Sequence, residues 1–174
     1  MNPPPDHPEN APAAALPAGG LRLALYQPDI PQNCGTLLRL AACLGLAADI
    51  VEPCGFPLSD ARMKRAGMDY LTLAAMTRHS SWQRFRAAQA ASGRRLVLLT
   101  TKGDRAYADF AFRPDDVLMV GRESAGVPEE VAAVADARLL IPMRPGLRSL
   151  NVAVAASMVL GEALRQTASF PSRA

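Results

Sequence analysis

Val117-Leu118-Met119-Val120-Gly121-Arg122-Glu123-Ser124-Ala125-Gly126-Val127-Pro128-Glu129-Glu130 is the stretch on which the fold turns. Its first four residues form an unbroken apolar run that stops at a glycine, the pattern of a buried strand. Pro128 then opens a helix. Proline is tolerated at the first helical position, and Glu129 and Glu130 in the first turn complement the helix dipole. The predicted helix spans Pro128–Val134. The seven residues between strand and helix are small or polar. They form a loop at the carboxyl end of the strand, where Gly121 permits close approach of a ligand to the backbone.

The same strand–loop–helix unit recurs on both sides. Downstream, Arg138–Ile141 reads as a strand and Ser149–Gln166 as a long apolar helix. Upstream, Leu21–Tyr26, Asp49–Val51 and Arg95–Thr100 read as strands. Asn33–Gly45, with Leu37, Leu40, Ala41 and Leu44 on one side, reads as a helix. Ser59–Ala66 reads as a short helix capped by Ser59, and Ser81–Ala91 as a helix with Trp82 and Phe85 three apart. Strands alternating with helices predict an α/β protein with a mainly parallel sheet. Such folds bind ligands beyond the carboxyl ends of their strands. The informative loops are therefore those after Tyr26, Thr100, Val120 and Ile141.

Outside this body, residues 1–20 are Pro- and Ala-rich, lack any period and bury no face, so a disordered tail is expected. One domain is expected over 21–168. The chain of 174 residues has 19 Lys and Arg against 16 Asp and Glu. Setting aside Asp6 and Glu9 of the tail leaves 19 cations against 14 acids, a formal +5. That balance suits an anionic partner. Cys34, Cys43 and Cys54 are too few and too irregularly spaced for a disulfide framework, and no apolar run reaches membrane-span length. A cytoplasmic protein without a membrane contact is expected. No dinucleotide fingerprint, P-loop, nucleophile elbow or paired-histidine motif is present, and no metal is expected. His7 lies in the tail, and His79 stands alone as a surface or cap residue.

Three segments remain, and together they carry a resemblance. Asn33-Cys34-Gly35-Thr36-Leu37-Leu38-Arg39 resembles the first motif of the SpoU family of RNA ribose 2′-O-methyltransferases. Gly121–Pro128 resembles its second motif. Ile141-Pro142-Met143 followed by Ser149-Leu150-Asn151-Val152 resembles its third. The stretches ALYQPDIPQN, EPCGF, RAGMDYL, TRH and LTTKG are similar to the small subfamily that acts on the tRNA wobble position. The resemblance runs from Leu21 to Gln166.

It implies an α/β fold with helices on both faces and a C-terminal trefoil knot. It implies S-adenosylmethionine as methyl donor, a homodimer as the active unit, and the anticodon stem-loop of tRNA as partner. The expected reaction is 2′-O-methylation of nucleotide 34, a C or modified U. The alternatives are another tRNA position or ribosomal RNA, and an RNA-binding protein that has lost catalysis. Carried over by motif, the catalytic set is Asn33, Arg39, Glu123, Ser149 and Asn151. The donor-binding set is Leu99, Thr100, Gly121, Ile141, Met143, Ser149 and Leu150. Among these, Ser149 is also placed to cap the last helix, with Asn151 inside its first turn. Arg62, Lys64, Arg65 and Arg78 are expected to grip tRNA phosphates. The chain departs from the subfamily at Asn151-Val152-Ala153-Val154, where N-L-S-N is usual, and near Gly161, where a Tyr is usual. Any role of that Tyr is not carried over.

Overall fold

The computed structural model describes residues 19–58 and 75–172. Among them the strands are β1 (Arg22–Tyr26), β2 (Ala47–Val51), β3 (Met76–His79), β4 (Leu96–Leu99), β5 (Arg105–Ala106), β6 (Val117–Val120) and β7 (Ala137–Leu140). The helices are α1 (Pro31–Cys43), α2 (Trp82–Ala91), α3 (Glu129–Ala133) and α4 (Val152–Gln166). All seven strands form one sheet in the order β3-β2-β1-β6-β4-β7-β5, with every pairing parallel. The chain runs from β1 outward to β3, crosses to β4 and β5, and then returns. Each late strand slots between earlier ones: β6 between β1 and β4, β7 between β4 and β5.

Side chains alternate across the sheet, as strand geometry requires. Leu23, Leu25, Val97, Leu118, Val120 and Leu139 face one layer, packed by Leu37 and Leu38 of α1 and Val159 and Leu160 of α4. Ala24, Tyr26, Leu96, Leu98, Val117 and Met119 face the other, packed by Phe85 of α2 and Val131 of α3. Helices therefore cover both faces, and β4 and β6 are apolar at every position because neither face meets water.

Several expectations are corrected. Asn151, not Ser149, caps α4: its side chain accepts hydrogen bonds from the backbone N–H of Ala153 (2.9 Å) and Val154 (3.3 Å). Asn is favoured at that position, so its poor helix propensity is no obstacle there. Helix α1 begins at Pro31, two residues earlier than expected. The proline lacks only an N–H that would be unpaired anyway. The strand β3 carries no apolar signal, because it lies at the sheet edge and turns His79 inward. His79 is not a surface residue. It is 8% exposed, and its Nε2 lies 2.9 Å from Asp49 Oδ1. Arg22 Nε donates to Asp49 Oδ2 at 2.8 Å, closing a buried trio. Burial pushes the Asp49 carboxyl up, but hydrogen bonds from His79 and Arg22 and their charge outweigh it and hold the group below its usual range.

The expected helix Ser59–Ala66 lies outside the described residues, as do residues 1–18 of the expected tail. Gly19 and Gly20 belong to the described part. The Arg94 guanidinium donates to both of their carbonyl oxygens.

Candidate active site

Three strand ends feed one cavity. The loops after β4 (Thr100–Lys102), β6 (Gly121–Val127) and β7 (Ile141–Asn151) enclose about 910 Å³, with Ile30 and Asn33 contributed by the start of α1. That volume lies within the roughly 300–1,000 Å³ usual for small-molecule sites.

Glycine sets the shape of the middle loop. Gly126 has φ +66°, and a Cβ on Gly121 would lie 2.7 Å from the Gly126 carbonyl carbon. The two backbones approach this closely because Gly121 has no side chain, while Gly126 supplies the positive φ of the turn. Reciprocal bonds then close the loop, Arg122 N–H to Gly126 O (3.0 Å) and Gly126 N–H to Arg122 O (2.9 Å).

Asp29, between β1 and α1, ties that loop down. Its carboxylate accepts from the backbone N–H of Glu123 (3.1 Å) and Ser124 (3.3 Å) and from the Ser124 hydroxyl. In return, the Asp29 N–H donates to Glu123 Oε2 at 3.1 Å. The Glu123 side chain, followed by the Ser124 hydroxyl and the two backbone donors, holds Asp29 down at about 2. Burial pushes Glu123 up, and the Asp29 carboxyl adds to the push. The two carboxyls are thus pushed in opposite directions, Asp29 toward its ionised form and Glu123 toward its protonated one. Asn33 hydrogen-bonds Glu123. The Asn151 side-chain N–H donates to Asn33 Oδ1 at 3.0 Å. A continuous polar chain therefore links the β1–α1 loop, the β6 loop and the cap of α4.

The cavity wall gathers Asn33, Leu99, Thr100, Gly121, Glu123, Ile141, Met143, Ser149, Leu150 and Asn151. Arg39 is not among them; it sits on the exposed side of α1. Arg78 is on β3, where its Nε donates to Glu52 Oε1 at 2.7 Å. Arg62, Lys64 and Arg65 lie outside the described residues. Sequence reasoning missed Asp29, although an Asp just before Pro31 is a recognisable turn residue. It also missed Lys102, Arg144 and Arg148 on the cavity wall. Lys102 comes from the loop after β4 and Arg144 and Arg148 from the loop after β7, and they form no run. Among the described residues, no group of three or more His, Cys, Asp or Glu side chains is gathered as a metal site.

An all-parallel sheet with a cradle of loops at its carboxyl edge defines an α/β protein of the class that handles small ligands at strand ends. Within that class, the chain belongs to the SpoU rRNA methylase family, whose model matches residues 20–161. A tRNA (cytidine(34)-2′-O)-methyltransferase of Beijerinckia indica is 69% identical over 144 residues, covering 83% of this chain and 90% of the relative. The enzyme of the same name from Escherichia coli K12 is 41% identical, covering 84% and 93%. A solved structure concerned with 2-OH methylation of C/U34 on tRNA superposes with TM-score 0.79 at 42% identity, covering 85% of this chain and 96% of its own. An AdoMet-bound rRNA methyltransferase from Sinorhizobium meliloti superposes with TM-score 0.75 at 31% identity, covering 84% and 56%.

Proposed function

We propose that this protein transfers a methyl group from S-adenosylmethionine to the ribose 2′-hydroxyl of nucleotide 34, the wobble position of tRNA. The observation that carries this is the convergence of all three family motifs on one cavity, joined by the Asn151–Asn33 hydrogen bond of 3.0 Å. Near-full-length relatives that act on cytidine 34 support the substrate. With tRNA as substrate the working compartment is the cytoplasm, and among the described residues no helix is long and apolar enough to cross a membrane.

The residues fit the methyl donor. Leu99, Ile141 and Leu150 give apolar walls for an adenine ring, and the loop backbones of Gly121–Val127 and Ile141–Ser149 supply polar groups beside them. When bound, the donor supplies an electrophilic methyl on a sulfonium. Asn33, Asn151 and Glu123 fix the loops so that donor and ribose meet in line. Ser149, freed from capping, offers a hydroxyl to either. A guanidinium offers five donors and no acceptor, so the role of Arg39 is electrostatic: it orients the phosphate and stabilises negative charge developing on the 2′-oxygen.

Because Arg39 stands outside its own chain's cavity, it acts on the cavity of a second copy. Exposed Ile30, Leu150, Val154 and Met158 border α1 and α4 and support a homodimer through that face. The trefoil knot of the family accompanies this reading, and the late insertion of β6 and β7 between earlier strands is compatible with it.

Incubating the protein with labelled donor and tRNA lacking the modification tests the proposal. Label is expected at ribose 34. Label confined to ribosomal RNA, or absent from every RNA, would overturn it.

A further inference from the structure

The charges around the cavity do not match the donor it is proposed to hold. Four cations line it, Lys102, Arg122, Arg144 and Arg148, against the single acid Glu123. That surplus of three is more than half of the +5 carried by the chain from residue 21 onward. Arg122 is engaged, donating to the Gln27 side-chain oxygen. The other three are exposed, and among the described residues none of their side chains meets an acid. Elsewhere, exposed cations often find acids: Arg78 pairs with Glu52, Arg138 with Asp104 and Arg165 with Glu162.

S-adenosylmethionine is itself cationic at its sulfonium and ammonium. Its one carboxylate answers at most one of the three cations. The remaining positive charge is left available to an anion outside the donor, at the mouth where the ribose must enter. A phosphodiester backbone presents such anions at regular spacing, and Arg matches phosphate with a bidentate fork.

We propose that Lys102, Arg144 and Arg148 clamp the phosphates flanking the reacting ribose, so that the cavity rim is itself the RNA grip. This rests on the RNA-modifying reading above. It also moves the centre of RNA contact away from the 62–78 segment, where Arg78 is already paired with Glu52.

The experiment measures binding of an anticodon stem-loop transcript across a salt series. The comparison is between wild type, the triple variant Lys102→Gln/Arg144→Gln/Arg148→Gln, the single variant Arg148→Gln, and Arg113→Gln. Arg113 precedes β6 at the opposite edge of the sheet and serves as control. Each lost phosphate contact lowers the slope of log affinity against log salt by about 0.7 for a single strand. The triple variant should therefore lose about 2 units of slope, Arg148→Gln about 0.7, and Arg113→Gln none. Calorimetric affinity for S-adenosylmethionine alone should fall by no more than about tenfold in the triple variant, because at most one of the three cations meets the donor's carboxylate. An unchanged slope in the triple variant overturns the clamp. So does an unchanged slope with lost donor affinity, which would assign the cations to the donor's carboxylate. Either result leaves position-34 methylation standing, and methylation mapped to another nucleotide leaves the slope result standing.

Discussion

Beneath α2, Arg22, Asp49 and His79 are closed on one another, and nearby Arg95 Nη2 lies 2.8 Å from Asp116 Oδ2. At the cavity, four cations face one acid, and that acid is turned toward Asp29. The two regions share a sheet and differ in what completes them. A buried charge must find its opposite within the chain, because leaving water alone is too costly. An exposed charge on a loop can wait for a ligand. The paired cluster therefore maintains the fold, and the unbalanced one serves binding.

The strongest way to break this contrast is Asp49→Asn. The side chain of Asp49 is fully buried and that of Arg22 only 3% exposed. Removing the carboxylate leaves a guanidinium buried without its counter-charge, which costs about 3–5 kcal/mol. A fall in Tm of about 6–20 °C should appear by calorimetry. At a temperature where the variant stays folded, the salt slope of RNA binding should be unchanged. A slope that moved with Tm would mean that the two clusters are not separate.

Gly121→Ala probes the other region through shape rather than charge. The new Cβ would meet the Gly126 backbone at 2.7 Å, and no flexible side chain is there to yield. The loop must open, at about 1–3 kcal/mol. Donor affinity should fall about tenfold by titration calorimetry, equivalent to about 1.4 kcal/mol. Affinity equal to wild type would mean that the close contact of these glycines is not what shapes the cradle.

The contrast also explains which parts were legible in the sequence. Val117–Val120 announced itself because a strand covered on both faces is apolar at every position. The same rule hid β3, whose Met76-Thr77-Arg78-His79 lies at an edge and spends His79 on the Asp49 cluster. Motif residues placed most of the cavity wall, from Asn33 to Asn151. They did not distinguish Asn151 from Ser149 as the cap, since both types cap helices and they stand two positions apart. Lys102, Arg144 and Arg148 went unread as a group for a different reason. Lys102 joins the two arginines of the β7 loop only after β4 and β7 become neighbours, and charge counted along the chain cannot reveal that.

Asp29→Asn is the smallest perturbation, and it tests the point where the regions are most alike. Asp29 is a cavity-side charge that is satisfied internally, by Glu123 and Ser124 donors. The variant keeps one acceptor oxygen and replaces the other with a donor that faces the Ser124 N–H and hydroxyl. Its charge is also gone, so Glu123 loses the neighbour that helped push it up, and only burial remains to do so. Asp29 titrates at about 2, below the ordinary carboxylate value of 3.8. Its stabilisation is therefore present above about pH 4 and lost as pH falls from there toward 2. Because the group is partly open to water, the effect at neutral pH is discounted to about 1 kcal/mol, a Tm difference of about 2–4 °C. That gap should close as the solution is taken from pH 6 to pH 2. Faster exchange of the Glu123 and Ser124 amide protons should accompany it in the variant at pH 6. A Tm gap of constant size across the range would show that Asp29 acts by shape alone. The charge contrast between the two regions would then stop at the cavity rim.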